Sequence, residues 1–488
     1  MPDIIIDVTN LQDAAGNPLL FIWTFFRDGG WFLVIMIFAV TLLILTYRNY
    51  IYSQQRKYLA KYHHVLLAID IPKGNEQTPK AVEGVFAHLH GLHKNPAWIE
   101  KVEGFVVPEI SLEIVGIEGQ SQFLIQCRED ARDMLEASIY AQYPDAAITE
   151  VRDYTDFIPK DYEAAGYDLW GTELVLQNKN FYPIKTYPFF EHTMSQQFLD
   201  PLSSLLELYS KLGPTEQVWL QLVISPINDH WTKAANHEVK KIIGEKEKHA
   251  KHPAAEIAGN VTTGLYQAVT ATIIPQGKKE EKRLDTRQPS YTYLPPGEQA
   301  KVQGIQMKIA KLGYEVKFRM IYWAKKEFMN KTTGVLGVIG ALKQWNTQDL
   351  NAFKPESTTK TTINYFFKKY RLRRRKERIV HNYRHRILHR QFQHRNPMTH
   401  AWHKPIILNT EELASIFHFP VEPNVKAPML QKTEAKRAGA PISLPVEPAK
   451  ETSSRLSGHG AGGVAAFPNG AAEHGEQRSE PPTNLPME

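Results

Sequence analysis

Cysteine is almost absent: Cys127 is the single thiol in 488 residues. That excludes an intramolecular disulfide framework and any CxxC redox or zinc-ribbon site, and it suits a body facing the cytosol. Signatures of the common catalytic classes are missing as well. No GxxxxGK[ST] phosphate loop occurs, and the glycine-rich run Gly334–Gly340 (GVLGVIG) has no lysine. Nucleotide hydrolysis by the P-loop route is therefore not expected of this chain. There is no GxSxG, no HExxH and no recognisable carboxylate pair. Gly458–Gly463 (GHGAGG) fits GxGxxG, but no strand precedes it and no helix follows, so it does not read as a dinucleotide fingerprint. His381, His385 and His389 share one helical face, yet Arg384, Arg386 and Arg390 surround them and oppose a bound dication. No catalytic residue, cofactor or metal is expected.

What is present begins with a membrane signal. Gly29–Tyr47 (GGWFLVIMIFAVTLLILTY) is nineteen residues without a charge, about 28 Å of helix and enough to cross the hydrocarbon layer. Trp31 and Tyr47 stand at its ends, as interfacial aromatics do. Residues 1–28 hold Asp3, Asp7, Asp13 and Asp28 against Arg27, whereas Arg48, Arg56, Lys57 and Lys61 follow the run. That excess predicts a single-pass protein of the inner membrane, with the N-terminus outside and the C-terminal body in the cytoplasm. A cleaved signal peptide would want a basic start and a small-residue cleavage site, and neither is seen. A buried core helix is the other alternative, and the uncharged run is long for one.

The composition, 42% hydrophobic and 23% charged, is that of a folded protein, and the length allows roughly two to four domains. The expected class is α+β. In a first unit (62–160), Val65–Pro72 reads as a strand, Val82, Val85, Phe86 and Leu89 as a helix stripe, and Ile110–Gln126 as a hairpin through Glu118-Gly119. Leu135 and Ile139 mark a second helix and Ala147–Val151 a last strand, the β-α-β-β-α-β order of a ferredoxin-like sandwich. A second unit (165–355) repeats the theme. Glu173–Gln177, Val218–Ile224 and Tyr314–Ala324 are its strands, and Leu202, Leu205, Leu206 and Tyr209 line its helix. An insertion at 228–295 interrupts it. The segment 356–424 is expected to be a basic helical arm and connector. The last 64 residues, 425–488, contain 15 Pro and Gly but nine Leu, Ile, Val and Phe, the composition of a disordered tail.

Charge is segregated. The net charge is +6, yet Lys368–Arg395 (KKYRLRRRKERIVHNYRHRILHRQFQHR) holds twelve basic residues and one acid, leaving the remainder at −5. Lys368, Lys369, Arg371, Arg373, Arg374, Arg375, Lys376, Arg378, Arg384, Arg386, Arg390 and Arg395 are the candidate contacts to nucleic acid or another anion. Guanidinium groups pair phosphates bidentately, and Tyr370, Tyr383 and Phe392 could stack on bases. Docking on an acidic partner or on anionic lipid is the competing reading. Ile379, Tyr383 and Ile387 predict a helix with one apolar seam.

The phrases ISLEIVGIEGQSQFLI (110–125), IYAQYPDAAI (139–148), PIKTYPFFE (183–191), DPLSSLLELYSKLGPTEQVWLQLVI (200–224) and LNTEELASIFHFP (408–420) carry a resemblance. Across about 62–425 the chain resembles a membrane-anchored domain of unknown function found ahead of conjugation-type ATPases in small-genome uncultivated bacteria. The resemblance implies a non-catalytic platform of a type IV secretion-like translocation machine. Because a tail stands where the ATPase would begin, a separate P-loop ATPase is the implied partner, and self-assembly into a homo-oligomer is a further expectation. A membrane-tethered nucleic-acid-binding protein unrelated to secretion is the alternative.

Overall fold

The computed structural model describes residues 31–72, 77–159, 161–191, 199–245, 294–364, 366–388 and 404–420, with a few single positions besides. Most of the inserted charged loop, the C-terminal tail, Arg390 and Arg395 lie outside the described residues.

Helix α1 (Trp31–Leu59) contains residues 31–47 of the apolar run and continues past it. It is long and apolar enough to cross a membrane. Its apolar side chains from Val34 to Leu45 stay largely exposed, so they do not belong to a protein core. After it come β1 (His64–Asp70), α2 (Pro79–Leu89), a short α3 (Trp98–Val102), β2 (Ile110–Ile117), β3 (Gln120–Arg128), α4 (Arg132–Tyr140) and β4 (Ala147–Glu150). The expected hairpin turns through two residues, Glu118 and Gly119, both at positive φ as a type I′ turn requires. Val82, Val85, Phe86 and Leu89 are buried on α2, as their spacing predicts.

The next stretch gives β5 (Tyr167–Leu176), α5 (Leu202–Ser210), β6 (Gln217–Pro226), α6 (Thr232–Ile243), α7 (Pro296–Ile309), β7 (Gly313–Lys325), α8 (Val338–Leu342) and β8 (Phe353–Pro355). The strands form one antiparallel sheet in the order β4-β1-β3-β2-β6-β7-β5-β8. Within it each half has its own order, β4-β1-β3-β2 and β8-β5-β7-β6, with helices following its first and third strands. The halves are not two separate bodies: β2 pairs with β6 along its whole length, from Ile110 opposite Ile224 to Ile117 opposite Gln217. Inside the insertion, α6 lays Ala235 and Val239 on Val302 and Ile305 of α7 as a small satellite core.

One sheet face carries Leu67, Ile114, Phe123, Leu222, Phe318 and Met320 into the main core beneath α2, α4, α5 and α8. Residues 404–420, expected as part of a connector, also belong to this core. β9 (Ile406–Asn409) adds to β7, and α10 (Thr410–Ile416) packs on α2. Asn409 and Glu412 cap α10 reciprocally, each side chain accepting the other's backbone N–H at 2.8 and 3.0 Å. The other face carries Leu66, Ala68, Val115, Leu124, Trp219, Ile321 and Trp323, and is covered by α9 (Lys368–Arg384) and the segment 154–162.

The foot of α1 is built into this body. Tyr58 packs on Phe105, the Arg128 guanidinium lies 3.8 Å over the Tyr62 ring, and Gly104 abuts the Gln54–Gln55 backbone. Gly104 has φ of +89°, and a Cβ there would sit 2.4 Å from the Gln54 carbonyl carbon. Gly104→Ala should therefore cost about 1–3 kcal/mol. Limited proteolysis of the purified protein should then cut near Arg56–Lys61 faster than in the wild type.

Candidate nucleic-acid interface

Helix α9 runs for 17 residues and carries most of the basic run. Ile379, Val380 and Tyr383 are buried against the sheet, so the expected apolar seam exists, but the helix is docked rather than a free arm. This docking divides the candidate residues. Lys368, Lys369, Arg371, Arg373 and Arg374 are exposed on its first turns. Beside them Phe366, Phe367 and Tyr370 are 86%, 78% and 59% exposed, far more than such side chains usually are. Phe367 enters the helix with φ of 59°, an uncommon conformation for an aromatic residue.

Of the exposed cations, Arg373 pairs with Glu377 at 2.9 Å on the helix surface, and the remaining candidates have structural duties. Lys376 is buried, with Nζ 2.5 Å from Asp168 and 3.1 Å from Glu163. Arg375 donates from Nη1 to the carbonyls of Ser357, Lys360 and Thr362, holding the loop that leads into the helix. Arg378 is half-buried. Arg384 pairs with exposed Asp156 at 3.3 Å. Arg386 lies just beyond the helix and is buried, with Nε 3.0 Å from Glu113 Oε1 and Nη1 on Asp153. Lys376 and Arg386 are thus withdrawn from any phosphate. Each lies on the side of α9 that meets the sheet, where a nearby carboxylate neutralises it. His381 and His385 stand with their rings 4.4 Å apart, and His389 lies outside the described residues.

Beneath α9 the sheet carries a polar row that sequence reasoning missed. Glu113, Gln221, Arg319 and Glu173 stand opposite one another on four successive strands, β2, β6, β7 and β5. All four are buried. Gln221 donates to Glu113 at 2.9 Å and accepts from Arg319 Nη1 at 3.0 Å, and Arg319 Nε reaches Glu173 at 3.3 Å. Glu113 also accepts from Ser111, from Tyr154 at 2.8 Å and from Arg386. Arg319 Nη2 donates to the Ile387 carbonyl, and Gln221 donates to the Tyr383 carbonyl at 3.0 Å, which ties the end of α9 to the sheet. Lys317 adds a 2.8 Å bond to Glu173. Burial works against the Glu173 carboxylate, but Lys317 and Arg319 outweigh it and hold it below its usual range. Three carboxylates (Glu113, Asp153, Glu173) meet three cations (Lys317, Arg319, Arg386), so the network is neutral. The signal for it is a lone polar residue at the centre of each apolar strand, as in SLEIV, WLQLV and KFRMI.

The profile of a family described as "Domain of unknown function (DUF8128)" matches residues 52–431. The chain belongs to that family. Nothing in the match ties it to conjugation-type ATPases, and no curated protein matches the chain. The matched span contains the foot of α1, the whole sheet, α9 and α10. The apolar run lies ahead of it.

Glu113→Ala would leave Arg386, Gln221 and Tyr154 without their shared acceptor. It should destabilise the body by about 3–5 kcal/mol, whereas Arg373→Ala should stay within about 0.5 kcal/mol. Thermal unfolding of both purified variants beside the wild type checks the contrast.

Proposed function

We propose that this DUF8128 protein is a non-catalytic, membrane-anchored platform that holds nucleic acid on the exposed first turns of α9. The observation that carries the reading is the union of Lys368, Lys369, Arg371, Arg373 and Arg374 with solvent-facing Phe366, Phe367 and Tyr370. Cations that track a phosphate backbone beside aromatic faces that stack on bases are what a single strand requires. Docking of the rest of α9 supports it too, because a helix fixed to a nine-stranded sheet presents these groups in one orientation. Tyr58, Tyr62 and Gly104 build the foot of α1 into the body, which supports a retained anchor rather than a removable leader. The strand order of each half supports reading both as ferredoxin-like units joined edge to edge.

A place in a conjugation-like translocation machine, as platform for a separate P-loop ATPase, is the wider reading, and it rests on the sequence resemblance. It keeps the same anchored body and adds a partner. Co-purification of such an ATPase from membranes in mild detergent would favour it. Nucleic-acid binding without one would favour a tethered binding protein.

Two outcomes are expected. Binding of single-stranded DNA or RNA to the purified protein should weaken with salt at a slope of roughly −3.5 in log K against log salt, at ~0.7 per contact. Replacing Lys369, Arg373 and Arg374 by alanine should flatten the slope by about 2, similarly on every sequence tested. No binding at low salt, with retention on anionic vesicles instead, would move the helix to a lipid role. In the second measurement, a protease-sensitive tag at the N-terminus should be cut from outside intact cells, and one after Glu488 should be protected.

A further inference from the structure

At the other end of α9 lies an open cavity of about 520 Å³, lined by the last turn of α1, the sheet and the residues that follow the helix. Its wall is cationic. Arg56 comes from α1, Arg128 from the end of β3, and Arg384 and Arg386 from α9 and its exit. Arg386 is consumed by Glu113 and Asp153, while Asp130 holds Arg128 and Asp156 holds Arg384 at only part of their nitrogens. Arg128 is 6% exposed, and Asp130 takes its Nε and Nη2 while Tyr62 covers its flat face. The Tyr58 hydroxyl also neighbours the guanidinium, and Arg128 Nη1 itself is buried without a hydrogen-bond partner among the described residues. A buried guanidinium donor with no acceptor is a costly group that needs one. Arg56 is exposed on the opposite wall, and Arg384 is tied at a single nitrogen to Asp156, itself largely in solvent.

We propose that this cavity binds a phosphate group, with Arg128 Nη1 as its buried donor and Arg56 and Arg384 closing on it from the two helices. Guanidinium forks suit phosphate oxygens, which accept several charge-assisted bonds at once. Glu109, the carboxyl among the described lining residues, is no obstacle. Burial pushes it up to about 8, so near neutrality it is largely uncharged and does not repel an anion. His64 and His385 also line the cavity. Burial, reinforced by neighbouring arginines, holds both below the ordinary imidazole range, and a neutral ring still offers one N–H. The phosphate is that of a soluble phosphate ester or of an anionic phospholipid headgroup. Arg56 stands nine residues beyond Tyr47, about 14 Å along the helix, so a tilted α1 brings headgroups towards the cavity while an upright one leaves it to soluble esters.

The site shares no residue with the exposed turns of α9, so Lys369, Arg373 and Arg374 can be changed without touching it. Full-length protein in uncharged detergent is titrated calorimetrically with inorganic phosphate at constant ionic strength. Expected is saturable one-to-one binding, weakened at least tenfold by Arg128→Gln and by the double change Arg56→Ala with Arg384→Ala, and unaltered when Lys369, Arg373 and Arg374 are alanine. The double variant lies on the surface and keeps the test decisive if Arg128→Gln fails to fold. Repetition in nanodiscs of phosphatidylcholine, with and without phosphatidylglycerol, separates the sources. Competition by phosphatidylglycerol assigns a lipid headgroup, and equal binding in both assigns a soluble ester. No saturable binding in detergent, or binding that the double variant leaves unchanged, overturns the proposal.

Discussion

A carboxylate buried on a sheet must find its countercharge, and Glu113 finds it in Arg386, 273 residues further along the chain. Much of the architecture hangs on that pairing. Through Gln221, Arg319 and Glu173 the same polar row crosses β2, β6, β7 and β5, stitching the two halves of the sheet over the seam where they meet. Each member is bonded to its neighbour, and positive and negative charges are equal in number. A half-satisfied version would be worse than an apolar face, since an unpaired buried charge costs several kcal/mol. Such a network adds less to stability than to uniqueness. It accepts one register of β2 on β6 and one position for the end of α9.

That constraint explains how a very basic helix can lie on a protein whose remainder is acidic. Lys376 of α9 is neutralised inward by Asp168 and Glu163 and Arg384 sideways by Asp156, and just beyond the helix Glu113 and Asp153 take Arg386. The apolar seam of Ile379, Val380 and Tyr383 provides the packing, and the ion pairs set the rotation of the helix. What remains outside is a short cluster of lysines and arginines with unburied aromatics at one end, and a cationic cavity at the other. The two ends of one docked helix thus differ, one an open basic and aromatic cluster and the other a cavity lined by arginines.

Helix α1 and the body are joined by similarly local physics. Aromatic contacts at Tyr58 and Tyr62 and a glycine without room for a side chain hold the foot of α1 against the α3–β2 loop and the end of β3. A single helix that entered the body through a loose linker would leave its orientation open. Here the last turns of the helix form one wall of the cavity.

Much of this was legible in one dimension. Uncharged length marked α1, period-two alternation marked β7 with Val316, Phe318, Met320 and Tyr322 on one face, and helical spacing marked α2 and α5. These patterns are local consequences of burial, so the sequence carries them whole. The basic run was legible as charge but not as geometry. Which of Lys368, Lys376 and Arg386 faces solvent depends on carboxylates more than a hundred residues away and on the docking of the helix, and Arg375 is held by carbonyls of the loop before it. Residues 404–420 were misplaced as a connector for the same reason, because β9 gains its meaning from pairing with β7. By itself the sequence determined a long apolar helix near the N-terminus, an α+β body and a concentration of positive charge, since each is a matter of composition and short-range period. Only the tertiary structure decided that the two halves form one sheet, that the basic helix is docked, and which cations are left for a partner. Those outcomes rest on strand pairing and charge neutralisation between segments that no local pattern connects.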